Sequence, residues 1–447
     1  LANVSLFRAS VYLAPSLKTR SLLESLTYAP SRAFAQQLDQ ADPLAAYRQQ
    51  FHLPVQANGQ PYLYFTGNSL GCQPKAVRGY LDQELQDWAR LGVEGHVHAQ
   101  HPWLPYHEFL AEASARIVGA KPEEVVMMNS LTVNLHLMMV SFYQPTAQRY
   151  RILIEADAFP SDHYAVASQL QWHGHTVDDG LVALKPRPGE HTLRQEDILA
   201  AIAEQGDHLA LVLLGGVNYY TGQFFDLASI AAATHAVGAV MATDLAHAVG
   251  NVPLKLHEWG IDFACWCSYK YLNGGPGGVG GCYLHERHIA RTDLPRLAGW
   301  WGHDKASRFQ MDSTFRPIPT AEGWQLSNAP ILSMAALRAS LDLFEAVGMD
   351  ALRAKSLRLT GYLAYLLGER LSPEALTVIT PSDPTQRGCQ LSLLTGPQGR
   401  SWFEALTAQG VICDWREPNV IRVAPTPLYN RFEEVWQFVE ILAAAGE

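Results

Sequence analysis

Apolar positions recur along the chain in two rhythms. Between Val125 and Leu284, short apolar runs alternate with longer stretches of helical spacing. The runs are Val125–Met128, Arg151–Glu155, Leu209–Leu214, Val240–Asp244 and Phe263–Cys267, and each gives way to a polar or glycine-bearing turn. Such runs predict buried strands, and the spacing between them predicts crossover helices, so this stretch reads as a mostly parallel, doubly wound sheet. Ahead of it, Asp39–Gln50 has helical spacing, Tyr62–Phe65 reads as a short strand, and residues 66–71 form a tight turn. Lys75–Leu91 predicts an amphipathic helix with Val77, Leu81, Leu85 and Trp88 on one stripe. Near Asn328 the rhythm changes. Ser333–Val347 and Asp350–Arg370 predict long helices. Strand-like runs follow at Leu376–Ile379, Cys389–Leu394, Gly410–Asp414 and Val420–Ala424, then a last helix at Phe432–Ala444. The expected division is an N-terminal extension and arm (1–75), a large domain (76–325) and a smaller α+β C-terminal domain (326–447).

Composition narrows the function classes. A chain of 447 residues with 17% charged residues and a net charge of −10 can bury a large core. It carries no basic cluster suited to nucleic acid or an anionic membrane surface, and no apolar run long enough to span a bilayer. The six cysteines (Cys72, Cys265, Cys267, Cys282, Cys389, Cys413) form no C-x-x-C pair. A reducing compartment, the cytoplasm, is the default expectation. Leu1–Ser25 has Arg8, Lys18, Arg20 and several serines ahead of its first acid, Glu24. It fits a transit peptide or a poorly ordered extension and is left out of the fold argument.

The candidate chemistry centres on residues 262–281, DFACWCSYKYLNGGPGGVGG. An apolar strand there ends in Ser268-Tyr269-Lys270, which puts an amine at the carboxyl rim of the sheet, where open α/β folds bind ligands. An amine shielded from water favours its neutral form, the form that makes a Schiff base with an aldehyde such as pyridoxal phosphate. A surface lysine after a core strand has the same local sequence. Gly275, Gly277 and Gly280 match G-x-G-x-x-G, but no acidic ribose partner follows a strand about 20 positions on, so the match reads as accidental. Ser130 or Thr132 can cap a helix whose free N–H groups suit a phosphate. Phe159, at the mouth of another helix, can stack on a planar ring. Asp244 ends a strand with His247 three residues on, and a buried carboxylate there needs a partner such as a protonated ring nitrogen. His96, His98 and His101 lie close in sequence, but without the spacing of a metal site, and no metal is expected.

Thr132, Phe159, Asp244 and Lys270 fall in that order, and this pattern resembles the pyridoxal-phosphate-dependent transferase fold (fold type I, the aspartate-aminotransferase fold). More narrowly the chain resembles the kynureninase family, through TGNSLG (66–71), NSLTVNLHLMM (129–139), EADAFPSDHYA (155–165), YYTGQFFD (219–226), TDLAHAVGNVPL (243–254), DFACWCSYKYLNGGPGG (262–278), GWWGH (299–303), LSNAPIL (326–332) and IRVAPTPLYN (421–430). The resemblance implies a pyridoxal 5'-phosphate enzyme of tryptophan catabolism that cleaves L-kynurenine or 3-hydroxy-L-kynurenine to anthranilate or its hydroxy form plus L-alanine. It implies Lys270, Tyr269 and Asp244 as catalytic residues, with Lys270 the Schiff-base lysine and also the base for the α-proton. The cofactor would be held by Leu131, Thr132, Phe159, Pro160, Ser161, Asp162, Asp244, His247, Tyr269, Lys270, Trp300 and Asn328. The substrate would be held by Ser69, His96, Asn328 and Arg422, with Arg422 on the α-carboxylate. A homodimer with Trp300 supplied across the interface is also implied. The chain departs from some relatives at Gly215, where a hydroxyl residue is expected. Two rival readings are a cysteine desulfurase or selenocysteine lyase, which needs a nucleophilic cysteine on a mobile loop, and a cofactor-free binding module.

Overall fold

The computed structural model describes residues 27–446, so the expectation for Leu1–Ser25 lies outside the described residues. The large sheet contains β1 (Val125–Met127), β2 (Arg151–Glu155), β3 (Leu181–Leu184), β4 (Leu209–Gly215), β5 (Val240–Asp244), β6 (Phe263–Trp266) and β7 (Gly281–Leu284). Their order is β1-β7-β6-β5-β4-β2-β3. Strands β2 to β6 pair in parallel, while β7 runs antiparallel to β6 and β1. The parallel strands therefore finish on one rim. The edge strand β3 is only partly buried, so its apolar signal is weak and the hydrophobic pattern did not mark it.

Both faces of the sheet are covered, which is why its strands read as continuous apolar runs. Leu211 and Leu213 face helices α1 (Leu131–Phe142) and α2 (Pro160–Trp172), while Val212 and Leu214 face helices Gln195–Gln205 and Leu227–Ala236. Helix α3 (Ile331–Val347) sends Met334, Leu337, Leu341 and Phe344 into the same core as Val212. Beyond it lie α4 (Met349–Arg370), α5 (Phe432–Gly446) and an antiparallel sheet of β8 (Leu376–Val378), β9 (Leu391–Thr395), β10 (Asp414–Arg416) and β11 (Val420–Val423), in the order β8-β9-β11-β10. Leu363, Leu393, Val423 and Phe438 form its core.

Three local expectations are corrected. The run expected as one strand at Gly410–Asp414 is two: Val411–Ile412 pairs in parallel with Leu63–Tyr64, and β10 starts at Asp414. The stretch Asp39–Gln50 is not one helix; helix Arg32–Gln40 ends first, and a 3-10 segment covers Ala45–Gln50. In helix Val77–Leu91 the apolar stripe is only half used. Val77 is buried, but Leu85 is 45% and Trp88 61% exposed, while Glu84 and Asp87 point inward. Glu84 accepts bonds from Trp103 Nε1 at 3.0 Å and Tyr106 Oη at 2.8 Å, and Asp87 accepts one from the Gln100 amide at 2.9 Å. With those acids satisfied, the helix can bury its polar face. No described helix is long and apolar enough to cross a membrane.

Candidate active site

The rim of the large sheet meets the small sheet at a cavity of about 310 Å³. Register builds its floor: Gly215 of β4 pairs with Asp244 of β5, which pairs with Cys265 of β6. The chain leaves β6 through Ser268 and Tyr269 to Lys270, and the Tyr269 carbonyl accepts the Gly71 amide at 2.8 Å. A Cβ on Gly71 would stand 2.4 Å from the Lys270 carbonyl, so only glycine lets the 66–71 turn dock here. Gly275, Gly277 and Gly280 lie in the loop entering β7 and so precede a strand, not the helix that a dinucleotide fingerprint opens.

At one end of the cavity, Asn129 takes a left-handed turn (φ 48°) between β1 and α1. The side chain of Ser130 makes no capping bond to α1, contrary to expectation, so the helix start keeps open amides beside the hydroxyls of Thr132 and Ser161, which lie 3.0 Å apart. Leu131, Thr132 and Ser161 all line the cavity. Open amides at the positive end of a helix dipole suit a phosphate.

Deeper in, three carboxyls converge. Asp244 Oδ1 accepts the Ala246 amide at 2.7 Å. Burial raises its pKa, while that amide and Lys270 pull it back. Asp162 sits beside it; burial and the neighbouring Asp244 charge push its pKa well up, which favours its neutral form. Glu155, at the end of β2, accepts the Gly215 amide at 2.6 Å and Asn218 Nδ2 at 2.5 Å, yet burial pushes it up to about 7. Above them Lys270 Nζ lies 3.1 Å from His247 Nε2 and 5.9 Å from the centre of the Phe159 ring. Burial and the Lys270 charge drive the His247 pKa well down, so the imidazole is neutral and can accept from the amine. Burial and Cys267 raise Tyr269, leaving its phenol a neutral donor.

The far wall is cationic. Arg422 is 1% exposed; its Nη1 donates to the Tyr219 carbonyl at 2.7 Å and its Nη2 to Asp414. Arg416 reaches the same aspartate.

Of the residues expected at the site, Ser69, Leu131, Thr132, Phe159, Ser161, Asp162, Asp244, His247, Tyr269, Lys270 and Arg422 line this cavity. Pro160 is the first residue of α2 and exposed beside it. Three others lie elsewhere in the single chain. His96 packs on Trp103, with Nδ1 2.9 Å from the Val93 carbonyl. Trp300 is 43% exposed against Phe309, and Asn328 is exposed ahead of α3. Sequence reasoning missed Glu155, Asn218, Tyr219 and Arg416 as cavity residues. Glu155 carried the signal that singled out Asp244, an acid at the end of an apolar strand.

This set of groups fits pyridoxal phosphate. Asp162 Oδ1 and His247 Nδ1 are buried without a hydrogen-bond partner among the described residues, as befits a site built for a polar guest. Open helix amides suit the phosphate, Asp244 the ring nitrogen, Phe159 a ring face and Lys270 the aldehyde carbon. The cysteines do not suit a desulfurase nucleophile: Cys389 and Cys413 are buried, and burial pushes each up to about 12.

Comparison with known proteins adds to this geometry. The profile of the kynureninase C-terminal domain family matches residues 352–442. A kynureninase of Myxococcus xanthus is 58% identical over 92% of this chain and 96% of its own length. One from Koribacter versatilis is 55% identical over 92% of this chain and 97% of its own. Among solved structures, a cysteine desulfurase from Thermococcus onnurineus superposes with a TM-score of 0.72 at 17% identity, over 86% of this chain and 94% of that one. The C-DES protein, in a variant with glycine covalently linked to its pyridoxal-phosphate cofactor, gives 0.73 at 19%, over 89% and 98%. These two likenesses concern the fold, which is the type I fold of pyridoxal-phosphate enzymes.

Proposed function

This chain belongs to the kynureninase family, and from that premise we propose that it hydrolyses L-kynurenine, or its 3-hydroxy form, to anthranilate, or 3-hydroxyanthranilate, and L-alanine in tryptophan catabolism. The observation that carries the reading is the meeting of Lys270, Asp244 and Arg422 on one cavity. When bound, pyridoxal phosphate supplies an aldehyde that joins amines covalently and a protonated ring that draws electrons from the substrate's α-carbon.

The chain's own groups do the rest. Lys270 Nζ would hold the aldehyde carbon and, when free, would take the substrate's α-proton as general base. Neutral His247, 3.1 Å away, accepts a hydrogen bond from that amine. Asp244 would set its negative charge against the ring nitrogen, and Asp162, whose pKa burial and that charge push up, would resist a second charge beside it. Phe159 would cover one ring face, while the start of α1 and the hydroxyls of Thr132 and Ser161 would take the phosphate. Tyr269, a neutral phenol, passes protons between the reacting carbons. Arg422 orients the α-carboxylate. Water adds to the γ-carbonyl, the Cβ–Cγ bond breaks, the water oxygen stays on the aryl acyl carbon and a proton ends on Cβ.

The working unit in this reading is a cytoplasmic homodimer with Trp300 supplied across the interface, where it and Asn328 would complete the phosphate site. Exposed Trp300, Leu85 and Trp88 support it, since large apolar groups on a surface suit an interface. His96 and Ser69 would flank the substrate's aromatic end. The test is release of anthranilate and alanine in equal amounts from kynurenine by purified protein carrying the cofactor, with sedimentation giving the oligomer. Protein that binds the cofactor but leaves kynurenine intact would defeat the reading.

A further inference from the structure

The small sheet presents a second guanidinium to the cavity. Strand β10 (Asp414–Arg416) pairs antiparallel with β11, and Asp414 stands opposite Arg422. Arg416 is two residues from Asp414, so it leaves the same face of the strand. Opposed residues on neighbouring strands also share a face, so Asp414, Arg416 and Arg422 form one charged group. The distances agree: Asp414 Oδ1 is 3.0 Å from Arg416 Nε, and Asp414 Oδ2 accepts from Arg416 Nη2 at 3.1 Å and from Arg422 Nη2. One carboxylate is thus shared by two guanidinium ions, leaving one positive charge uncompensated at the cavity wall. Both arginines line the cavity that contains Lys270.

The two arginines are not equivalent. Arg422 is 1% exposed and held by Tyr219 as well as Asp414. Arg416 is 37% exposed, so its side chain has room to move. Its charge nonetheless reaches inward, acting on both Tyr219 and His247. A carboxylate has two oxygens, and two guanidiniums on one aspartate can each offer one a donor.

We propose that Arg416 is a substrate-binding residue: with the fixed Arg422 it forms a two-guanidinium receptor for the α-carboxylate of the amino-acid substrate, and Asp414 positions both forks. This rests on the kynurenine-cleaving reading. Arg422 is the preset half, and Arg416 swings onto the bound carboxylate from the solvent side.

The holoenzyme tests this with R416Q, R416K and two substrates, L-kynurenine and its carboxamide, which lacks the anionic group. With kynurenine, R416Q should raise KM about tenfold or more, the scale of one lost charge-assisted bond, with kcat falling no more than about threefold. R416K should recover part of that loss, since lysine keeps the charge but not the fork. With the carboxamide, wild type and R416Q should agree within about twofold. The affinity for L-alanine, read from the cofactor's absorbance, should weaken in R416Q in parallel with the kynurenine KM. An unchanged kynurenine KM, or an equal penalty on the carboxamide, overturns the proposal and leaves Arg416 as a structural partner of Asp414. Wild-type holoenzyme that does not cleave kynurenine overturns the underlying reading instead.

Discussion

The two ends of the cavity handle charge in opposite ways. At the floor, Asp162, Asp244 and Glu155 crowd three carboxyls together, and burial raises the pKa of each. At the wall, Arg416 and Arg422 share one aspartate and keep a positive excess. Each end is unbalanced by itself, and burying unbalanced charge is costly. In the proposed function the imbalance would be relieved by a cofactor cationic at its ring nitrogen and a substrate anionic at its carboxylate, with Lys270 between the two ends. The lesson is that each end keeps an excess of one sign of charge, even at the wall where Asp414 pairs with both arginines.

The largest effect is expected at the joint. Lys270→Ala should lower turnover by about 10³-fold or more, a barrier increase of roughly 4 kcal/mol, and remove the absorbance band of a cofactor covalently linked to the protein, leaving that of the free aldehyde. Near-normal kinetics in that variant would mean the two ends are not coupled through this amine.

The floor comes next. Asp244→Asn should lower kcat about 10²-fold with the fold intact by circular dichroism, because the compensating charge is gone. Asp162→Asn should cost less than about tenfold, since burial and the Asp244 charge already favour its neutral form and asparagine is a neutral replacement. If the two variants behaved alike, the assigned division between one charge and one neutral acid would be wrong.

At the wall, Arg422→Ala should act mainly on KM, and it should destabilise the chain by about 3–5 kcal/mol because Asp414 loses a buried partner. A fall in kcat with KM unchanged would remove Arg422 from substrate binding.

The smallest effect is a pH dependence at Glu155. Its folded pKa of about 7 lies above its ordinary value of 4.5. The stability linked to its bound proton is therefore fully present below about pH 4.5 and lost as pH rises through 7. Glu155→Gln cannot ionise. Relative to wild type it should gain on the order of 1–3 kcal/mol between pH 5 and pH 8, on top of a constant offset for the altered bonds to Gly215 and Asn218. Thermal melts across that range would show a flat difference if the carboxyl were already charged at pH 5.

The buried strands of the large sheet were legible because parallel strands covered on both faces read as unbroken apolar runs, as in Leu209–Leu214 and Val240–Asp244. The strand-end positions of Asp244 and Lys270 followed from the same runs. Less was readable where burial is partial: β3 at the sheet edge escaped notice, and the Leu85–Trp88 stripe pointed to the wrong face of its helix because Glu84 and Asp87 find buried donors instead. The capping reading at Ser130 failed in a useful way, since its hydroxyl makes no bond to the helix start and the amides there stay open to the cavity.

What the order of residues determined by itself was the alternation of strand and helix, the rim on which Lys270 lies, and the motifs that mark the family. Those depend on neighbours in sequence, where periodicity and turn chemistry act. What tertiary structure alone decided was which charges meet. Glu155 reaches the Gly215 amide 60 positions away, and Arg422 reaches the Tyr219 carbonyl 203 positions away. The pKa of a carboxyl depends on the water removed from it and the charges folded against it, and neither is a property of a linear string.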